Sequence, residues 1–444
     1  MYKYLIYNQL KKNARANKSF HMPGHKGNGD FFKRFPVADI DVTELSYSDN
    51  LACPEGVIAE AQRDIAEILG AKRSYILTDG SSSGVMTMLY AASRRGTKVI
   101  VPRNSHQSVF NACRILGLEP LIVQGPTHSG IIQPPEPDII DRLLVNDVTI
   151  AGIVITSPDY YGNISPLEEY SKIAKRNRRL LMVDGAHGAH LAFEPDRKGY
   201  AGVYADIWVD GAHKTLSTLT QGAILNINDV SLINDVEDGL SIFRTTSPSY
   251  PIMASVEYGV KLLKNGNHCA KAKAARSHIA DDKYMRIYPS ADWTKLVVDC
   301  EPSAISSDEI AELLERKGIY CEFSDGRYLL FYLSPVTTAG DIKFLKSALK
   351  SAFSNKKVAG TYKPREPIVP TARTYSYLYA LKRPYEWVPL EMAVGRMCAQ
   401  NAGFTPPCIP VCIAGEMITD TAVRALKSGK TFGVIDGRIK VVKK

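Results

Sequence analysis

The sequence predicts an α/β protein: a large domain of alternating strands and helices, then a smaller α+β C-terminal domain. Three observations predict it. Short apolar runs of strand length alternate with apolar residues at helical spacing from residue 57 to about 263. From about residue 280 the order becomes β-α-β-β-α, the pattern of a compact α+β unit. The 444 residues, 45% hydrophobic and 23% charged, are enough for two substantial cores. The boundaries read as an arm over 1–50, a large domain over 51–275, a small domain over 276–355 and a C-terminal region over 356–444.

In chain order, residues 1–20 read as a short amphipathic helix leading into an arm. Residues 21–29 are rich in Gly, Pro and His and form a loop with fixed turns. His21 and His25 have no carboxylate or cysteine at ligand spacing, so no metal site is expected. An acidic stretch over 41–55 runs into a helix with apolar residues at 57, 58, 61, 65, 68 and 69, which Gly70 stops. Residues 75–78 read as a strand. The small-residue turn Asp79-Gly80-Ser81-Ser82-Ser83-Gly84 then opens a helix over 85–92. Free N–H groups at such a helix start make an anion site suited to a phosphate; an ordinary serine cap is the alternative.

A strand over 98–102 delivers Asn104-Ser105-His106, followed by a helix over 108–116 and a strand over 120–123. Residues 125–138 read as a surface loop. A buried strand over 149–156 ends in Ser157-Pro158-Asp159-Tyr160-Tyr161-Gly162, and a helix over 167–176 follows. After a strand over 222–226 come a linker, the loop Arg244-Thr245-Thr246-Ser247-Pro248-Ser249 and a helix over 252–263. The smaller unit reads as a strand (294–299), a helix (307–317), two strands (319–323 and 327–333) and a helix (338–353). A Pro-rich linker over 361–370 precedes the C-terminal remainder, whose last residues, 434–442, read as two strands around Asp436-Gly437.

Two stretches carry the chemistry. The apolar run Ile207-Trp208-Val209 ends in small residues and presents His213-Lys214 before a Ser/Thr-rich turn. A lysine in such company can lose its charge in a dry pocket and condense with an aldehyde, or it can simply cap a strand toward solvent. The second stretch decides between these. Leu180-Leu181-Met182-Val183 ends in Asp184-Gly185-Ala186-His187, upstream of the lysine strand. A carboxylate there suits pyridoxal phosphate (PLP): it keeps the pyridine nitrogen protonated while the lysine carries the aldehyde.

With these motifs in place, the chain resembles the Orn/Lys/Arg decarboxylase family of fold-type-I, aspartate-aminotransferase-like PLP enzymes, in its short bacterial form without an N-terminal wing. The resemblance rests on an ordered set: His21-Met22-Pro23-Gly24-His25-Lys26-Gly27, Asp41-Val42-Thr43-Glu44, the Asp79–Gly84 turn and Pro102-Arg103-Asn104-Ser105-His106. It continues with Ser157 through Gly162, Asp184 through His187, His213-Lys214 through Gln221, and Thr245-Thr246-Ser247-Pro248. A weaker echo, Pro406-Pro407-Cys408-Ile409-Pro410 with Gly415-Glu416, lies near the C-terminus.

The resemblance implies decarboxylation of a basic L-amino acid to its amine and CO₂, with arginine ahead of lysine and ornithine, feeding polyamine synthesis. It implies Lys214, His106, Asp184 and His213 as catalytic residues, with His106 stacked on the pyridine face and His187 on the phenolic oxygen. Gly80, Ser81, Ser82, Ala186 and Thr246 join them around the cofactor, Thr246 reaching the neighbouring subunit's phosphate in a homodimer. His25, Tyr161 and Glu416 are the expected substrate contacts; Glu416 takes the distal cation, with Asp49 or Glu44 behind it. Two positions depart from the family pattern. Gly211 stands where the family usually has Ser, so a phosphate hydroxyl is missing, and Cys408 stands where Gly is usual.

Other classes fit less well. The net charge of +9 is scattered; the densest cluster (Lys172, Lys175, Arg176, Arg178, Arg179) is a solvated helix face rather than a nucleic-acid surface. No apolar run approaches the roughly 20 residues of a membrane span, and the N-terminus lacks a signal-type apolar core, which predicts a cytoplasmic protein. The eight cysteines are dispersed and read as reduced thiols. Two alternatives remain: another PLP reaction on a different amino acid, and a catalytically silent PLP-binding regulator. The second is disfavoured by the survival of Lys214, Asp184 and His106 together.

Overall fold

A computed structural model describes residues 2–13, 21–26, 33–355, 374–406 and 408–443. The expected linker over 361–370, residues 14–20 of the N-terminal stretch and the last residues of the 21–29 loop lie outside the described residues. The chain divides into two compact units, neither of them one stretch of sequence. The first is Met1–Arg94, Leu167–Ala272 and Ser334–Val336; the second is Arg95–Pro166, Lys273–Leu333 and Thr337–Lys444.

In the first unit four strands hydrogen-bond in the order Arg73–Leu77, Ala223–Ile227, Ile207–Asp210, Leu180–Gly185. The last two run parallel, and Ala223–Ile227 is antiparallel to both of its neighbours. Leu180–Gly185 is buried along its whole length, as its unbroken apolar run requires of a strand covered on both faces. Helices Val57–Leu69, Gly80–Ser93 and Tyr250–Lys264 belong to this unit, each with an apolar side in the core. The N-terminal helix is Leu5–Asn13, and the buried Glu257 carboxylate accepts the Leu5 and Ile6 N–H groups at its start, at 2.5 and 2.8 Å. Lys261, also fully buried, balances that charge from 2.8 Å.

The same unit buries a second acid. Asp210 closes the Ile207–Asp210 strand, and its Oδ2 accepts from the Tyr200 hydroxyl (2.9 Å), Trp208 Nε1 (3.0 Å) and Asn226 Nδ2 (3.0 Å). Burial pushes this carboxyl up to about 7, against the three donors, which favour the anion. Folded Asp210 therefore keeps its proton to about pH 7, whereas an unfolded aspartate releases its own near pH 4. Between those values only the folded state binds the proton, so stability falls by on the order of 1 kcal/mol per pH unit as pH rises. Asp210→Asn is expected to flatten this slope. Urea midpoints at pH 5 and pH 7 measure it, and an unaltered difference would clear Asp210 of the effect.

The second unit carries three parallel strands in the order Ile150–Thr156, Lys98–Pro102, Glu119–Val123. It also holds an antiparallel sheet, Arg286–Ile287, Lys295–Asp299, Tyr328–Tyr332, Phe323–Ser324, with helices Ser307–Glu315 and Ala339–Phe353. This is the expected α+β pattern, though the strand expected over 319–323 shrinks to Phe323–Ser324. Near the C-terminus Val434–Ile435 and Arg438–Val442 form a hairpin whose turn, Asp436-Gly437, has φ of +49° and +69°. Two helices occupy stretches read as a loop and a linker. Pro137–Asn146 begins inside the presumed loop, with Pro at its first turn. Ile233–Phe243 replaces a presumed linker; its Asp, Asn and Gly residues conceal an apolar side with Val236 and Leu240 buried. Among the described residues no helix is long and apolar enough to cross a membrane.

Candidate active site

In the first unit, strand ends deliver the expected residues. Asp184 closes Leu180–Gly185, is 2% exposed, and accepts the Ala186 N–H at 3.2 Å. Ile207–Asp210 passes through Gly211 into the single turn Ala212–Thr215, which carries His213 and Lys214. Lys214 is half-buried, with its Nζ 3.1 Å from His187 Nε2. His213 donates from Nδ1 to the Gly222 carbonyl at 2.9 Å. Burial holds this imidazole below its ordinary range, and the Lys214 charge adds to the effect. His213 is therefore neutral at pH 7, with its lone pair on Nε2.

Gly211 has a steric reason. A Cβ at that position would lie 2.4 Å from the Ala186 carbonyl oxygen, a backbone atom that cannot swing aside. The two strand ends meet too closely for any side chain, including the serine the resemblance leads one to expect.

The small-residue turn forms the start of the helix itself, which runs Gly80–Ser93 rather than beginning at 85. Gly80 has φ +78° and gives its N–H to the Gln221 carbonyl at 2.9 Å. No side chain caps this helix: Asp79 occupies the cap position without bonding the first turn, and the Thr245 N–H approaches its Oδ2 at 3.4 Å. Ser81 is half-buried, and Ser82 and Thr246 are exposed. The hydroxyls of Thr78, Thr215 and Ser217 are buried with no hydrogen-bond partner among the described residues. Sequence reasoning passed over these three; the signal for Thr215 and Ser217 was the Ser/Thr-rich turn after Lys214, and for Thr78 its place at the end of the strand before Asp79-Gly80.

One expected residue in this unit is otherwise engaged. Asp49 has φ +65°, and its carboxylate takes the N–H groups of Asn50, Glu55, Gly56 and Ile58 at 2.8–3.1 Å, which ties it to the start of Val57–Leu69. That saturation removes it as an acid for a substrate cation. His25 Nε2 lies 3.4 Å from Asp41 Oδ2. Glu44 is exposed and accepts from the Thr43 hydroxyl.

In the second unit His106 caps the helix Gln107–Leu116, its Nδ1 accepting the Ser108 N–H at 3.1 Å. A neutral His106 ring therefore carries its proton on Nε2. Tyr161 donates its hydroxyl to Asp325 at 3.1 Å and packs edge-on against Phe323 and Tyr328. Glu416 is 7% exposed and bound on both oxygens by Arg103, with Nη2–Oε2 at 2.9 Å; its Oε2 also takes the Ile413 N–H. The distal-cation role expected of Glu416 is corrected accordingly. Its charge is already balanced by a guanidinium that is itself 4% exposed. Arg103, part of a quoted motif, was given no role from sequence because its partner lies 313 residues away.

The first-unit residues fit PLP. The cofactor carries its aldehyde and phenolic oxygen on adjacent ring carbons, so the residues holding them must be neighbours, as Lys214 and His187 are. A buried carboxylate at Asp184 suits the pyridine nitrogen. An uncapped helix start and three buried, unpartnered hydroxyls suit a phosphate.

Comparison with known proteins agrees. The profile of the Orn/Lys/Arg decarboxylase major domain matches residues 5–286. The uncharacterized protein YaaO of Bacillus subtilis is 31% identical over 99% of this chain and 97% of its own. An arginine decarboxylase of the same organism is 29% identical over 94% of this chain and 91% of its own. The solved structure of the constitutive lysine decarboxylase of Escherichia coli superposes with a TM-score of 0.80 over 99% of this chain and 82% of that one, at 20% identity, which shows a shared fold. With its major domain matched over 282 of 444 residues, the chain belongs to the Orn/Lys/Arg decarboxylase family and is a fold-type-I, PLP-dependent decarboxylase.

Proposed function

We propose that this protein decarboxylates L-arginine, ahead of lysine and ornithine, to the amine and CO₂. The observation that carries the reading is the Lys214–His187 contact beside the buried Asp184, joined to the likeness to arginine decarboxylases over nearly the whole chain. When bound, PLP supplies an aldehyde that takes the substrate amine and an electron-poor ring that accepts the electron pair left as CO₂ departs. Asp184 holds the proton on the ring nitrogen. His187 binds the phenolic oxygen, and His106 lies against the ring face. Gly80, Ser81 and Ser82 hold the phosphate with N–H groups and hydroxyls, assisted by Thr246 from a second copy of the chain in a homodimer. Ala186 supports the ring from the Asp184 turn. Lys214 Nζ, or neutral His213 through a proton taken up on Nε2, returns a proton to the substrate α-carbon.

His25 and Tyr161 contact the substrate, and Glu44 is the remaining acid for its distal cation. The amine enters polyamine synthesis. A cytoplasmic setting is supported by the eight cysteines, all of them free.

The test is CO₂ release by purified, PLP-loaded protein against a panel of single amino acids. Release with arginine, together with agmatine, is expected. Release with lysine or ornithine alone would reassign the substrate. A cofactor absorbance that shifts with an amino acid while no CO₂ appears would replace the reaction.

A further inference from the structure

We propose that Arg103 and Glu416 are a positioning pair that sets the His106 ring, so that the C-terminal segment governs a cofactor-facing residue without touching the cofactor. The inference rests on the reading of His106 as the residue that lies against PLP.

His106 ends a four-residue bridge, Arg103-Asn104-Ser105-His106, between the strand Lys98–Pro102 and the helix that Gln107 opens, Gln107–Leu116. Both ends of this bridge are anchored to the same distant segment. At one end the Arg103 guanidinium grips both oxygens of Glu416 and donates from Nη2 to the Val411 carbonyl at 2.9 Å. Its backbone N–H is held by the Val123 carbonyl at 2.8 Å. At the other end Gln107 donates its N–H to the Cys408 carbonyl at 2.9 Å and accepts the Asn401 amide at 3.1 Å; Asn401 in turn accepts the Ala414 N–H at 3.0 Å.

The chemistry of the pair suits positioning. A planar guanidinium–carboxylate fork fixes orientation as well as distance, which a lysine at the same place cannot do. The pair is dry, so water does not weaken it: Arg103 is 4% and Glu416 7% exposed. Glu416 is itself aimed by the Ile413 N–H at 2.9 Å. Cys408 offers its anchoring carbonyl from a left-handed backbone, φ +59°, at the position where the family usually has Gly. The segment is thus shaped to present acceptors on both sides of His106. No atom of Arg103 or Glu416 is needed in the chemistry; the pair acts through the ring it holds.

The test uses full-length protein bearing Glu416→Gln, Arg103→Lys or His106→Ala. Three readouts are taken: the visible circular dichroism of bound PLP, the split between kcat and KM, and the imidazole ¹⁵N shifts of the PLP-free protein. Glu416→Gln and Arg103→Lys are expected to lower kcat about tenfold, within the loss that a slightly misplaced group produces. KM should change less than twofold, the dichroism should move toward that of His106→Ala, and the His106 nitrogen shifts should move without PLP. Should the single variants fail to fold, Arg103→Met with Glu416→Met fills the same volume without charge and is expected to show the same losses. Folded variants with wild-type dichroism, nitrogen shifts and kcat would overturn the coupling. If His106→Ala itself leaves dichroism and kcat untouched, the reading of His106 fails, and the inference with it.

Discussion

Lys214→Ala is expected to lower turnover by roughly 10²–10⁴-fold or more, the contribution of a positioned proton-transfer group, and to remove the visible-edge absorbance that bound PLP owes to its lysine link. The argument is local. Lys214 stands on a single turn, Ala212–Thr215, whose first residue is fully buried and whose preceding strand is buried throughout, so its position is fixed by the core. Among the described residues, the buried lysines Lys261 and Lys295 are committed to Glu257 and Asp292 at 2.8 and 3.1 Å. The fold should survive, because Lys214 is only half-buried. Absorbance and CO₂ release on the same preparation test both halves. Full turnover by Lys214→Ala would remove the central assignment.

Gly211→Ser is expected to weaken the protein even though serine is the residue the family resemblance leads one to expect there. The added Cβ meets the Ala186 carbonyl oxygen at 2.4 Å, so the strand ends at Gly185 and Asp210 must part. Forcing extra atoms into a packed site typically costs about 1–3 kcal/mol. Here the displaced atoms belong to residues two after Asp184 and three before Lys214, so PLP retention after dialysis should fall along with the urea midpoint. Gly211→Ala separates the two causes, because it brings the clash without the hydroxyl and should lose as much. A serine variant that holds PLP more tightly at unchanged stability would mean that the strand ends yield and that the missing hydroxyl was the greater loss.

How much of this was legible in the sequence follows from how local each cause is. Leu180-Leu181-Met182-Val183 and Ile207-Trp208-Val209 announce buried strands in their own letters, and the residues that close them announce a site. The Asp436-Gly437 turn is equally local. The helix Ile233–Phe243 was hidden because Asn234, Glu237, Asp238 and Ser241 make its exposed side polar, and Gly239 interrupts the buried side that Val236 and Leu240 mark. The misjudged acids failed for another reason. Nothing near Asp49 in the sequence says that its carboxylate will turn back onto four backbone N–H groups. Nothing near Glu416 reveals Arg103. A carboxylate's partner is a tertiary fact, and a motif gives the residue without giving what it holds.

The separation between Arg103 and Glu416 also sets an order of events during synthesis. Glu416 lies 313 residues after Arg103. At roughly 5–20 residues per second, the ribosome needs about 15–60 s to supply it. Throughout that interval the guanidinium has no carboxylate to enter the interior with, and an unpaired charge is costly to bury. The bridge bearing His106 therefore stays unset while most of the chain, Lys214 included, has already emerged. A nascent chain stalled before residue 416 would carry the lysine without a fixed His106, and the enzyme becomes competent only once the segment around Glu416 has arrived.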